Sequence, residues 1–192
     1  MEQIRKQETI IYGGAFNPPT LAHKAILEAC TEYAQSQQAD VWVMPSGDRN
    51  DKTIATSRAM RLAYIEAMIE SVDTQYTVPK IITTELDRPV LVETYDTVKE
   101  LEQDYPDRRF TFVFGADSTE TMASWYGGES LLENVSMLVV ERQGSDVNPM
   151  ARHAVRLYVD APNVSSTLVR ERLAAGVSVD DLVAAPVALL LQ

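Results

Sequence analysis

Short runs of apolar and β-branched residues recur along the chain at Thr9–Tyr12, Val41–Met44, Lys80–Thr84, Phe110–Phe114, Ser136–Val140 and Arg156–Val159. Most are unbroken rather than alternating, as strands covered on both faces are. Between them lie stretches with apolar residues at helical spacing, at Thr20–Ser36, Thr56–Val72, Thr94–Gln103 and Ser118–Ser124. Ala22, Ile26, Ala29 and Tyr33 mark one apolar stripe; Leu62, Ile65, Ile69 and Val72 mark another. Strands alternating with helices predict βαβ units, hence an α/β fold with a doubly wound, mostly parallel sheet and helices on both faces. The apolar run Leu182–Leu191 is about half a membrane span and contains Pro186, so it reads as a helix docked on the body. No repeat, low-complexity tract or linker interrupts the pattern, which predicts a single domain over residues 1–192.

The 192 residues are 45% hydrophobic, enough for a sizeable core. Twenty-eight acidic against 17 basic residues leave a net charge of −11, which opposes sequence-independent binding of DNA or RNA. Against that background a local concentration of positive charge is informative. Cys30 is the one cysteine, so neither a disulfide nor a cysteine metal set can be built. It falls on the apolar side of the first predicted helix and reads as a reduced, buried thiol. The opening M-E-Q-I-R-K-Q-E lacks the apolar core of a secretion signal. A cytoplasmic protein without membrane or nucleic-acid partners is expected.

Ligands of doubly wound sheets bind beyond the carboxyl ends of the strands, so the residues after each strand are the candidates. After the first come Gly13, Gly14, Ala15 and Phe16, two prolines, and Thr20 at the head of a helix. The glycines let a ligand approach bare backbone, and the helix N-terminus offers unpaired N–H groups to a phosphate. Thr20 and His23, three apart, share one face of the first turn. Lys24 there opposes the helix dipole unless an anion lies near. A plain strand–turn–helix connection is the alternative. Neither G-x-x-x-x-G-K-[ST] nor G-x-G-x-x-G occurs, which excludes the common nucleotide loops.

Arg49 and Lys52, after the second strand, either stay solvated or close over an anion. Thr94, Asp96 and Thr97 either cap the next helix or, for Asp96, receive a substrate hydroxyl or amide. Gly115 permits close approach, and Asp117 either N-caps a helix from Ser118 or contacts a nucleotide. Trp125, near Gly127 and Gly128, either fills the core or offers a stacking face. In V-S-S-T-L-V-R-E-R-L, residues 164–173, Ser165, Ser166 and Thr167 precede a helix with Arg170 and Arg172 in its early turns. No Glu or Gln stands three places after any of the hydroxyls, so none opens a capping box. Each cation there costs roughly 0.3–1 kcal/mol against the dipole. A bound polyphosphate reverses that sign; an ordinary capped surface helix is the alternative.

The segments G-G-A-F-N-P-P-T-L-A-H, F-G-A-D-S, S-W-Y and V-S-S-T-L-V-R-E-R-L-A-A-G, in this order, resemble the nucleotidyltransferase superfamily with the H/T-x-G-H signature, above all its nicotinate-nucleotide adenylyltransferases. The resemblance runs from Ile10 to the V-D-D-L-V-A-A-P-V tail. It implies a Rossmann-like fold and adenylyl transfer from ATP to nicotinate mononucleotide, with Mg²⁺ accompanying the ATP and no metal ligand on the protein. By position, Thr20 and His23 match the pair that contacts ATP phosphates, and Arg170 joins them in the catalytic set. Gly13, Gly14, Ala15 and Phe16 match the turn beside the nucleotide; Gly115 and Asp117 match the nucleoside contact. Ser165, Ser166, Thr167 and Arg170 match a second phosphate motif, so that the C-terminal helices, from about 165 to 192, complete the ATP site. Lys52, Thr94, Asp96 and Trp125 match positions facing the acceptor.

The chain departs from the pattern in four places. Thr20 replaces the first His, Ala22 the Gly, and Asn17 the Asp of F-D-P, while the P-H-K pattern is missing although Lys52 is kept. Transfer of an adenylyl or cytidylyl group to nicotinamide mononucleotide or phosphopantetheine is an alternative, as is a nucleotide-binding module without catalysis. For the transfer itself, a phosphate monoester with its second pKa of about 6 is already anionic, so no general base is needed. Catalysis then consists of holding two phosphates in line and stabilising the developing charge. His23 is expected to donate to the α-phosphate region, and His153, with no motif around it, to lie on the surface.

Overall fold

The computed structural model describes residues 6–47, 54–72, 77–88, 93–141 and 146–192. Its strands are β1 (Gln7–Gly14), β2 (Asp40–Pro45), β3 (Lys80–Ile81), β4 (Arg108–Gly115), β5 (Ser136–Val140) and β6 (Ala154–Leu157). They form one sheet in the order β3-β2-β1-β4-β5-β6, every neighbouring pair parallel. The helices are α1 (Leu21–Gln37), α2 (Arg58–Glu70), α3 (Thr94–Asp104), α4 (Ala116–Met122), α5 (Gly128–Asn134), α6 (Ser166–Ala174) and α7 (Ala185–Leu190). The chain winds outward from β1 to β3, then returns to pair β4 on the other side of β1. Strand order reverses there, and the diverging connections leave a crevice at the strands' carboxyl ends.

Side chains alternate across each strand. Ile10, Tyr12, Val41, Val43, Leu138 and Val140 meet Leu27, Ile65, Met68 and Val187 on one face. Ile11, Trp42, Met44, Phe112, Met137 and Val139 meet Val98, Leu101, Met122 and Leu132 on the other. Burial on both faces is why β1, β2, β4 and β5 read as unbroken apolar runs. The fold is therefore the expected doubly wound α/β, Rossmann-like sheet, here wholly parallel. Among the described residues no helix is long and apolar enough to cross a membrane.

The boundaries differ from the expectation in places. β3 stops at Ile81 because the chain turns at once, with the Asp87 N–H donating to the Thr83 carbonyl at 2.8 Å. β6 begins two residues early, in register with β5 from Met137 to Val140. α2 begins at Arg58, where the Ser57 hydroxyl accepts the Met60 N–H at 3.3 Å. Its buried arc is Tyr64, Ile65 and Met68, because α2 packs on α7 as well as the sheet; Leu62 and Ile69 are only half-buried. On α1, Leu27, Cys30 and Ala34 are buried where Ala29 and Tyr33 are half-buried. α5 does not appear in the sequence reading: its buried positions are only Gly128, Leu131 and Leu132, directly before β5. The tail forms a helix only over Ala185–Leu190, with Leu182 and Val183 buried ahead of it. There the Leu182 carbonyl accepts the N–H of Leu21, the first residue of α1, at 2.9 Å.

Candidate active site

A cavity of about 700 Å³ opens at the carboxyl ends of β1, β2 and β4. It is lined by Gly13 and Gly14, which continue β1 rather than turning after it, by Ala15 beyond them, by Ser46 and Gly47 after β2, and by Ala22 and His23 of α1. Glu85, Thr94, Thr97, Gly115, Asp117 and Trp125 close the other sides. Eight of the sequence-predicted residues thus share one space: Gly13, Gly14, Ala15, His23, Thr94, Gly115, Asp117 and Trp125. Phe16, Thr20, Asp96, Ser165, Ser166, Thr167 and Arg170 do not line it. Arg49 and Lys52 lie outside the described residues.

Thr20 is the N-cap of α1 and is buried, so its part is played through His23. The Thr20 N–H donates to His23 Nδ1 at 3.1 Å, and the Thr20 hydroxyl lies 2.8 Å from the same nitrogen. A nitrogen that accepts a backbone N–H carries no proton, so in the neutral ring Nε2 bears it and is the donor. Phe16 supports the imidazole from behind, its ring 5.4 Å from those of His23 and Tyr12. Phe16 holds a left-handed φ of 46° and is fully buried. A side chain on Gly14 would press within 3.1 Å of the Phe16 ring, so the glycine is needed for that packing. Of the α1 N-terminal donors, those of Thr20 and Leu21 already have protein partners. Ala22 and His23 are the residues that face the cavity.

Gly115 is the N-cap of α4, which starts at Ala116 rather than Ser118, so Asp117 is not the cap. Asp117 stands exposed in the first turn and lines the cavity. A Cβ on Gly115 would fall 2.3 Å from Asp117 Oδ1, so a side chain there would shift this carboxylate from its present position. Asp96 is exposed on α3, while Thr97, one residue on, is buried and faces the cavity. Trp125 packs edge-on against Phe114, with ring centres 6.4 Å apart. The neighbouring glycines serve packing: at Gly127, φ +65°, a Cβ would meet the Tyr95 ring at 2.4 Å, and at Gly128 it would meet the Met122 carbonyl at 1.7 Å.

The head of α6 docks on the loop before α1 instead of opening into the cavity. The Ser165 hydroxyl caps the helix by accepting the Leu168 N–H at 3.1 Å. The Ser166 hydroxyl donates to the Pro18 carbonyl at 2.8 Å. Arg170 donates from Nη1 to the Asn17 carbonyl at 2.7 Å and from Nη2 to the Thr167 hydroxyl at 3.1 Å. Arg172 pairs with Asp181 at 2.6 Å. The two helix beginnings are joined through residues 17–20, and the second reaches the cavity only through that loop.

Among the described lining residues there are three carboxylates, Glu85, Glu93 and Asp117, and no Lys or Arg. Lys24 is paired with Glu28. The expected local excess of positive charge is thus not formed by the described lining itself. Sequence reasoning missed two residues that hold the strand ends. Arg61 donates to the carbonyls of Ala15 and Ser46, and Glu85 accepts the Gly47 N–H at 3.3 Å and the Thr97 hydroxyl at 2.9 Å. An arginine inside the arc of α2 that ends at Tyr64, Ile65 and Met68 was the signal available for the first.

The sequence profile of the cytidylyltransferase-like family matches residues 11–172. A protein of Exiguobacterium sibiricum named "Probable nicotinate-nucleotide adenylyltransferase" is 32% identical over 184 residues, covering 95% of this chain and 94% of its own. One of the same name from Halalkalibacterium halodurans is 32% identical over 170 residues, covering 86% and 79%. The Plasmodium falciparum nicotinic acid mononucleotide adenylyltransferase complexed with NaAD shares the fold, with a TM-score of 0.82 at 20% identity over 96% of this chain and 94% of that one. Family profile, relatives and fold agree with the crevice built above, and the chain is a nucleotidyltransferase that belongs to the cytidylyltransferase-like family.

Proposed function

We propose that the protein transfers the adenylyl group of Mg-ATP to nicotinate mononucleotide, forming deamido-NAD and pyrophosphate in the cytoplasmic synthesis of NAD. The observation that carries this reading is one cavity that holds an oriented imidazole, a glycine-ended strand and an aromatic wall together. Its volume of about 700 Å³ lies within the range of small-molecule sites, about 300–1,000 Å³.

A phosphate oxygen of the mononucleotide attacks the α-phosphorus of ATP. The new P–O bond forms as the bond to the β-phosphate oxygen breaks, and pyrophosphate leaves with that electron pair. No proton need be removed from the nucleophile. His23 Nε2–H donates to the α-phosphate oxygens, where negative charge builds in the transition state. Gly13, Gly14 and Ala15 let the phosphates approach the backbone. Gly115 and Asp117 receive the nucleoside, and Trp125 stacks on the pyridine ring, beside Thr94 and with Asp96 at the rim. Ser165, Ser166, Thr167 and Arg170 act on the phosphates through the loop of residues 17–20, whose Asn17 and Pro18 carbonyls Arg170 and Ser166 hold. The Arg170 guanidinium has five donors, of which two are accounted for above. Lys52 meets the acceptor phosphate.

Among the described residues no three His, Cys, Asp or Glu side chains are grouped to hold a metal ion. Mg²⁺ takes few protein ligands and travels on phosphate oxygens, so it enters as part of the nucleotide substrate. That ion also lowers the repulsion between a polyphosphate and the three carboxylates of the cavity. The test is pyrophosphate release from Mg-ATP with nicotinate mononucleotide, nicotinamide mononucleotide and phosphopantetheine in parallel, CTP replacing ATP in a second series. Nicotinate mononucleotide with ATP is expected to give the highest kcat/KM. Another acceptor ahead of it, or no release with any, overturns the proposal.

A further inference from the structure

We infer that Arg61 is a positioning residue for adenylyl transfer, holding the ends of β1 and β2 at the spacing the in-line reaction requires. The inference rests on the function proposed above.

Arg61, on α2, is the single charged side chain among the described buried residues, at 3% exposure. A guanidinium is costly to strip of water unless acceptors replace that water. Here its Nε donates to the Ala15 carbonyl at 3.0 Å and its Nη2 to the Ser46 carbonyl at 2.6 Å. Those carbonyls belong to two loops that are 31 residues apart in the chain and adjacent in space. The Ser46 N–H also donates to the Gly14 carbonyl at 2.8 Å. Both loops line the cavity, Gly13 to Ala15 on one side and Ser46 and Gly47 on the other, whereas Arg61 itself does not.

A trans peptide sends its C=O and N–H in opposite directions. The Ser46–Gly47 peptide is accordingly gripped from both sides, its carbonyl by Arg61 and its N–H by the Glu85 carboxylate. Glu85 also accepts the Thr97 hydroxyl at 2.9 Å, which extends the brace to α3. The planar guanidinium presents Nε–H and Nη2–H in a fixed fork, so it sets the distance between its two acceptors; an ammonium on a flexible stem does not. Each substrate can still find its own loop without the fork. What is lost is the alignment of one phosphate with the other, so the effect falls on turnover rather than on binding.

The experiment compares wild type, Arg61→Lys and Arg61→Ala. It measures kcat and KM for pyrophosphate release, thermal unfolding, and backbone amide exchange at residues 13–16 and 46–47 without substrate. Arg61→Lys is expected to fold, to lose about 100-fold in kcat with little change in either KM, and to exchange faster at Gly47. Guanidinium ion at millimolar concentration is expected to restore part of the turnover of Arg61→Ala, because it refills the site with the same fork. The inference is overturned by wild-type kcat in Arg61→Lys, by a loss confined to KM, or by exchange at Gly47 that no variant changes. If wild type releases no pyrophosphate with any acceptor, the proposed function fails, while the exchange readout still decides whether Arg61 holds the strand ends.

Discussion

Nδ1 of His23 accepts the Thr20 N–H, which leaves the ring proton on Nε2 and so fixes which nitrogen is the donor. His23→Ala is expected to lower kcat by about 100-fold or more with the protein still folded, since removing one well-placed donor costs about 10²–10³ in rate. Near wild-type turnover would take the imidazole out of the mechanism. Thr20→Val keeps the backbone donor and removes the hydroxyl, so a smaller loss is expected, read in the same assay. Cys30 gives a second test at this scale. Full burial pushes its thiol up to about 12 from the ordinary 9.0. A thiol is neutral while protonated, so this group's contribution to stability is intact below pH 9.0 and is lost as pH rises towards about 12. The loss reaches about 1.4 kcal/mol per pH unit. Urea unfolding of wild type and Cys30→Ala across that window should show the wild type falling more steeply; parallel slopes would exclude the assignment.

The head of α6 and the turn before α5 show different kinds of local constraint. Ser165 satisfies a backbone donor of α6, and Ser165→Ala is expected to cost about 1 kcal/mol in urea denaturation. Gly127 and Gly176 both hold positive φ, +65° and +67°, but only the first has a neighbour where its Cβ would go. Alanine at Gly176 should cost about 1–2 kcal/mol, the strain of a left-handed residue alone. Alanine at Gly127 must also displace the Tyr95 ring beside the cavity, so it should cost more and raise KM for the pyridine nucleotide. Equal destabilisation at the two sites would show that the Tyr95 contact carries no weight.

Across the whole molecule, the crevice is made by connections from both halves of the sheet. Gly13 and Gly14 end β1 and His23 follows it, Ser46 and Gly47 follow β2, and Gly115 ends β4 with Asp117 and Trp125 beyond it. The C-terminal tail takes part from a distance, since Leu182 holds the first N–H of α1. The proposed function puts nucleotide and acceptor on separable walls of this crevice. Trp125→Ala is expected to raise KM for nicotinate mononucleotide far more than KM for ATP. An equal rise in both would move the acceptor away from this wall.

The period and continuity of the apolar runs were enough to determine the six strands, the first four helices and the wound, parallel architecture, because burial of the central strands β1, β2, β4 and β5 on both faces leaves a one-dimensional trace. Gly13, Gly14, His23, Gly115 with Asp117, and Trp125 were legible for a related reason: each lies at the carboxyl end of a strand or in the connection that leaves it, and strand ends converge in this fold. Other features depend on contacts between residues far apart in the chain, which no local pattern encodes. Arg61 bridging Ala15 and Ser46, Glu85 holding Gly47 to Thr97, and Arg170 turned onto the Asn17 carbonyl are of this kind. A hydroxyl or a guanidinium announces its donors in sequence, but which acceptor it meets is decided only when the sheet brings distant carbonyls within about 3 Å of it.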